Sequence, residues 1–109
     1  MAKVSVLVAV YNAEKWLKQC LDSLSAQTLG DIQVICVDDD STDGSLQILN
    51  DYAAKDNRFE IIALNENHGQ AHARNIALKH ATGDYTCFLD ADDWVDADTY
   101  ENLLALTNT

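Results

Sequence analysis

The chain has 109 residues, 48% of them hydrophobic, a size and composition that fit one small domain with its own core. Its 18 acidic and 7 basic residues give a formal net charge of −11, and a surface this acidic repels phosphate backbones and argues against nucleic-acid binding. No run approaches the roughly 18 apolar residues of a spanning helix, and the residues from Met1 to Ser5 do not begin a signal peptide. A cytoplasmic location is the expectation, with membrane association only through regions outside these residues.

Residues 4–10 form a short valine-rich run that predicts a buried strand. Asn12 is a candidate N-cap for a helix whose apolar face is Trp16, Leu17, Cys20, Leu21 and Leu24. Gly30 marks the exit from that helix. A second buried strand is predicted at residues 32–37. It runs into Asp38-Asp39-Asp40-Ser41-Thr42-Asp43-Gly44, and a helix carrying Leu46, Leu49 and Ala53 follows.

A third strand is predicted at residues 59–64, then a turn at 65–69 and a helix over about 70–80, with Gly83 placed to end it. A fourth strand at 85–89 leads into a second acidic cluster, Asp90, Asp92, Asp93, Asp96 and Asp98. Asp96 or Asp98 can cap a last helix that carries Tyr100, Leu103 and Leu104. Alternating strands and helices predict an α/β fold, a three-layer Rossmann-like domain over residues 1–109. Its sheet is parallel, of about four strands in the order 3-2-1-4, with helices on both faces. Cys20, Cys36 and Cys87 are odd in number and lack C-x-x-C spacing, so they read as free thiols.

The polar groups that stand out all follow strands: Tyr11 and Asn12, Asp38 to Asp40, Asn65 to His68, and Asp90 to Asp93. In a parallel sheet those strand ends share one edge, where open α/β sheets bind ligands. The first strand–helix connection, from Val10 to Glu14, has no glycine, so the G-x-G-x-x-G phosphate turn is missing. Asp90 and Asp92 offer another means of holding phosphate. Residues two apart on an extended segment point the same way, and two carboxylates can join a divalent cation to substrate phosphates.

Solvated surface is the ordinary reading of an isolated D-x-D; the strand-end position favours a site. An EF-hand reading fails, because the twelfth position counted from Asp39 is Asn50, and the sixth counted from Asp90 is Val95. His68 and His72 read as an incidental surface pair. Tyr11 is either a packed aromatic or a ligand contact, Arg74 a partner for one of the acids, and Trp94 a packing residue over the acidic loop.

Four segments in order carry a resemblance. They are Val4 to Asn12, Val37-Asp38-Asp39-Asp40-Ser41-Thr42-Asp43-Gly44-Ser45, the stretch from Asn67 through Ala73-Arg74-Asn75, and Ala81-Thr82-Gly83-Asp84-Tyr85 with Leu89-Asp90-Ala91-Asp92-Asp93. Together they resemble the donor-binding portion of family 2 glycosyltransferases of the GT-A fold. The likeness runs from about Val4 to Leu104.

The resemblance implies a nucleoside-diphosphate sugar, UDP-sugars favoured, bound with Mg2+ or Mn2+, and transfer with inversion to an acceptor it does not specify. It places Ala9, Tyr11, Asn12, Asp39, Arg74, Asp90 and Ala91 against the nucleotide sugar, with Tyr11 and Asp39 at the base. Asp90 and Asp92 become the metal ligands. Asp40 departs from the family's usual glycine, and Ala9 from its usual proline or threonine. The family's catalytic base and acceptor site come from the segment after the D-x-D, so they are expected beyond Thr109.

Two alternatives stand beside this reading. Phe88-Leu89-Asp90-Ala91-Asp92 also resembles the nucleophile strand of haloacid-dehalogenase-type phosphatases, although there it opens the fold. A non-catalytic nucleotide-sugar-binding module is the other. A four-stranded sheet with an open edge further predicts self-association of this chain.

Overall fold

The computed structural model describes residues 2–107. Strands and helices alternate: β1 (Val4–Val10), α1 (Glu14–Ser25), β2 (Ile32–Asp38), α2 (Ser45–Lys55), β3 (Phe59–Ala63), α3 (Gln70–His80), β4 (Tyr85–Phe88) and α4 (Thr99–Thr107). All strand pairs are parallel, and the sheet order is β3-β2-β1-β4, as the alternation predicts.

The central strands are apolar on both faces because helices cover both. Val4, Val6, Val8 and Val10 of β1 and Val34 and Cys36 of β2 join one core with Leu17, Cys20, Leu21 and Leu24 of α1, Leu49 of α2 and Tyr100 of α4. Leu7, Ile35 and Val37 face the other way, onto Ala73 and Ala77 of α3. Side chains alternate along a strand, so one valine- and isoleucine-rich run supplies both cores. The small alanines let α3 lie close to the sheet. Cys20 and Cys36 are buried, Cys87 is half-buried, and all three are free thiols.

Several local expectations are corrected. Asn12 is not the cap of α1: Ala13 holds that position without a side-chain cap, and Asn12 adopts φ 48°. Its Oδ1 instead accepts the Thr42 N–H at 2.8 Å, and its own N–H donates to Ser41 Oγ at 3.0 Å. Asn12 therefore ties the β1–α1 loop to the β2–α2 loop. Helix α1 stops at Ser25 with Ala26 at its C-cap, short of Gly30.

Gly83 does not end α3, whose C-cap is the extended residue Ala81. Its glycine character serves a close approach. A Cβ at position 83 would lie 2.7 Å from the Ser5 backbone nitrogen, and the Gly83 N–H donates to Ser5 Oγ at 2.8 Å. At the last helix the Asp98 carbonyl accepts the Asn102 N–H at 3.0 Å, which puts Asp98 at the cap position through its backbone.

Candidate functional site

The four strand ends open into one cleft of about 490 Å³. β1 and the loop after it contribute Ala9, Val10, Tyr11 and Ala13 to the walls, α1 contributes Trp16, and the residue that follows β2 is Asp39. Asn67, Gly69, Gln70 and Ala73 come from the β3–α3 loop and the start of α3. Asp90, Ala91 and Asp92 follow β4. Tyr11 and Trp16 are 51% and 50% exposed, so two aromatic side chains stand half-open at this wall.

Asp39 forms the buried floor at 2% exposure. Its Oδ1 accepts the His68 N–H at 3.0 Å, and its Oδ2 accepts the Gly69 N–H at 2.8 Å. Its carbonyl accepts from Asn67 Nδ2 at 3.2 Å. A carboxylate that accepts backbone N–H groups gains charge-assisted bonds and fixes the loop that donates them. Gly69, at φ 96°, supplies the left-handed backbone that turns the loop into α3. Asp38 beside it is equally buried. Its Oδ2 accepts the Ser41 N–H at 3.1 Å, while its Oδ1 has no hydrogen-bond partner among the described residues.

The acidic group after β4 is a tight turn, closed by the Asp93 N–H on the Asp90 carbonyl at 2.9 Å. Carboxylate oxygens of Asp90, Asp92 and Asp93 lie within 4.8 Å of one another. The convergence thus comes from a turn rather than from an extended segment, and the turn adds Asp93, which the D-x-D reading left out. Arg74 of α3 reaches Asp90, with Nη2 2.8 Å from Oδ1, and Gln70 Nε2 approaches the same oxygen at 3.3 Å. The guanidinium also lies over the Phe88 ring, 5.4 Å from its centroid.

The field of these acids reaches the core. Burial, with the charges of Asp93, Asp92 and Asp90, pushes the Cys20 thiol up to about 12. The Cys20 thiol donates to the Asp90 carbonyl at 3.7 Å. Gln27, buried, pins the segment after the turn. Its Nε2 donates to the Asp96 carbonyl at 2.7 Å, and its Oε1 accepts the Tyr100 N–H at 3.2 Å.

Of the site residues expected from sequence, Ala9, Tyr11, Asp39, Asp90, Ala91 and Asp92 line the cleft. Arg74 stands just behind Asp90 as its ion-pair partner. Asn12 lies outside the lining and joins two loops. Trp94, expected as a packing residue, is 56% exposed. Trp16 falls on the apolar face of α1 by spacing, yet it is half-exposed and lines the cleft. Its place in the first turn of a helix that begins at the strand edge was the available signal. Gln70 and Gln27 carried no signal, because their partners are distant in sequence.

An open parallel sheet whose strand ends gather a buried carboxylate, two aromatic rings and three close carboxylates has the architecture of α/β domains that bind ligands at this edge. The comparisons narrow the class. The glycosyl transferase family 2 model matches residues 5–109, and the chain belongs to that family. It is 45% identical over 101 residues to the putative glycosyltransferase EpsH of Bacillus subtilis, an alignment spanning 93% of this chain and 29% of the relative. It is 44% identical over 99 residues to the poly(ribitol-phosphate) beta-glucosyltransferase of Bacillus spizizenii, across 88% of this chain and 16% of that one.

Among solved structures, residues 1–349 of S. aureus TarS with UDP-GlcNAc superpose with a TM-score of 0.92 at 37% identity, covering 97% of this chain and 31% of that one. The mannosyltransferase PcManGT of Pyrobaculum calidifontis, in complex with GDP-Man and Mn2+, gives 0.85 at 33% identity, covering 94% and 31%. The fold is the GT-A type. The chain thus spans less than a third of the length of each of these four proteins. They lend no support to the phosphatase or the non-catalytic module.

Proposed function

We propose that this chain is the donor-binding portion of an inverting glycosyltransferase, taking a nucleoside-diphosphate sugar, UDP-linked in preference, together with a divalent cation. The observation that supports it most is the meeting of Tyr11, Asp39, Asp90 and Asp92 in one cleft, with Asp93 beside the last two, in a fold matched to a UDP-GlcNAc complex. Tyr11 and Trp16 offer aromatic faces for the base, and Asp39 lies at the floor of the same cleft. The acidic turn would receive the diphosphate end.

The donor set fits a hard cation. Three carboxylates supply oxygen alone, which suits Mg2+ or Mn2+ and not a thiolate- or imidazole-seeking metal. The ion, when bound, lets an acidic pocket accept a diphosphate and stabilises charge on it as it departs. Asp90, Asp92 and Asp93 would hold it.

Inverting transfer also needs a general base within hydrogen-bond reach of the acceptor hydroxyl. In this reading the acids of the turn are metal ligands, and His72 and His80 ride on α3. The reading therefore assigns the base and the acceptor site to sequence outside these residues, and this chain alone binds donor without transferring sugar.

Calorimetry of UDP binding tests the proposal. Affinity is expected to rise with Mn2+ or Mg2+ over chelator, and Asp92→Ala to lose most of that gain. Equal UDP affinity with and without metal overturns it.

A further inference from the structure

Arg74 already places a positive charge on the acidic turn. Its Nη2 sits 2.8 Å from Asp90 Oδ1, and Gln70 Nε2 shares that oxygen at 3.3 Å. The two donors are four residues apart on α3, so they lie on one helix face and act together. Two further contacts hold this arrangement. The Phe88 ring backs the guanidinium at 5.4 Å, and Ala73, fully buried against the sheet, fixes the helix beside it. The ion-pair side chains are 38% and 47% exposed, so the pair is partly shielded and still reachable from solvent.

Asp90, Asp92 and Asp93 carry three formal negative charges, and the guanidinium offsets one of them at the carboxylate that leads the triad. A divalent ion entering alone must share Asp90 with a fixed cation, and like charges at that separation repel. A diphosphate changes the balance. It brings negative oxygens that can take up the guanidinium's donors, in the planar bidentate geometry arginine favours, while Asp90 turns to the ion.

We propose that Arg74 is the resident counter-cation of the acidic turn, so that the turn takes a divalent ion strongly only together with a diphosphate that engages the guanidinium. This rests on the metal reading given above and adds a role for Arg74 within it. Arg74 is a positioning residue here: it sets when Asp90 is available. The coupling is reciprocal, so whatever the diphosphate adds to ion affinity, the ion adds to diphosphate affinity.

The test is a Mg2+ titration of the nucleotide-free chain, followed by NMR at the backbone amides of Asp92 and Asp93. Wild type, Arg74→Gln and Arg74→Lys are compared, each also with saturating UDP. Arg74→Gln is expected to bind Mg2+ about tenfold more tightly than wild type without UDP, and to gain less from UDP. Arg74→Lys keeps the charge and is expected to stay within about twofold of wild type. Spectral dispersion of each variant reports that the fold is intact.

The role of Arg74 is overturned if Arg74→Gln binds Mg2+ no better than wild type, or if Arg74→Lys tightens binding as Arg74→Gln does. Either result, with Mg2+ still seen at these amides in the UDP complex, leaves the metal reading standing. Failure of Mg2+ to shift them in any variant, with or without UDP, overturns both.

Discussion

The carboxylate of Asp39 holds the backbone of Gly69, with Oδ2 accepting that N–H at 2.8 Å. Gly69 is the residue from which α3 starts, and α3 carries the Gln70 and Arg74 side chains that grip Asp90. The floor of the cleft and its acidic turn are therefore joined by one short run of hydrogen bonds, from β2 through the β3–α3 loop to the residues after β4.

Asp39→Ala is expected to act on both stability and binding. It leaves the N–H groups of His68 and Gly69 without the buried acceptor that holds them. Loss of hydrogen bonds to a charged group costs about 1.5–3 kcal/mol, so urea denaturation is expected to shift to a clearly lower midpoint. UDP affinity is expected to fall roughly tenfold or more, since the loop that lines the cleft loosens. A variant with wild-type stability and wild-type UDP affinity contradicts the role assigned to Asp39.

The Asp56–Arg58 pair predicts an acid limb of stability. Its Nη2–Oδ2 distance is 2.8 Å, and the guanidinium also caps the Ser25 carbonyl at 3.1 Å. The hydrogen bond from Arg58 holds the Asp56 carboxyl below its ordinary value. A depressed folded pKa contributes stability that is present above the unfolded pKa and disappears as pH falls through the folded one. Wild type is therefore expected to lose stability below about pH 4 more steeply than Asp56→Asn, with the two curves parallel at neutral pH. Chemical denaturation at a series of pH values measures this, and identical acid limbs would refute it.

The open edge of the sheet predicts association. β4 pairs with β1 on one side, and Tyr85 and Phe88 on it are 45% and 51% exposed. Leu103 of α4 adds a further exposed apolar side chain. Edge strands with apolar faces recruit partners, while a net charge of −11 opposes aggregation. A concentration-dependent dimer or small oligomer is expected in sedimentation, strengthened by salt. Introducing charge with Phe88→Lys is expected to shift it toward monomer. A strictly monomeric profile for wild type at high concentration counts against this edge as a contact surface.

The alternation of valine-rich runs with apolar helical faces was enough to give the strand order, because buried parallel strands have few other ways to pack. The acids at the ends of β2 and β4 were legible for the same reason: a parallel sheet brings all its strand ends to one edge. Tertiary structure decided how those acids are used. Asp39 spends both carboxylate oxygens on loop N–H groups 29 and 30 residues away, and Arg74 reaches Asp90 across 16. Gly83 looked like a helix stop and proved to be where the chain passes against Ser5, 78 residues earlier. Trp16 fell on the apolar stripe of α1 by spacing, yet the cleft beside β1 left it half-exposed. Periodicity reports which face of an element is buried. It does not report which polar group from another loop will stand opposite, because that pairing exists only after the sheet has set the loops side by side.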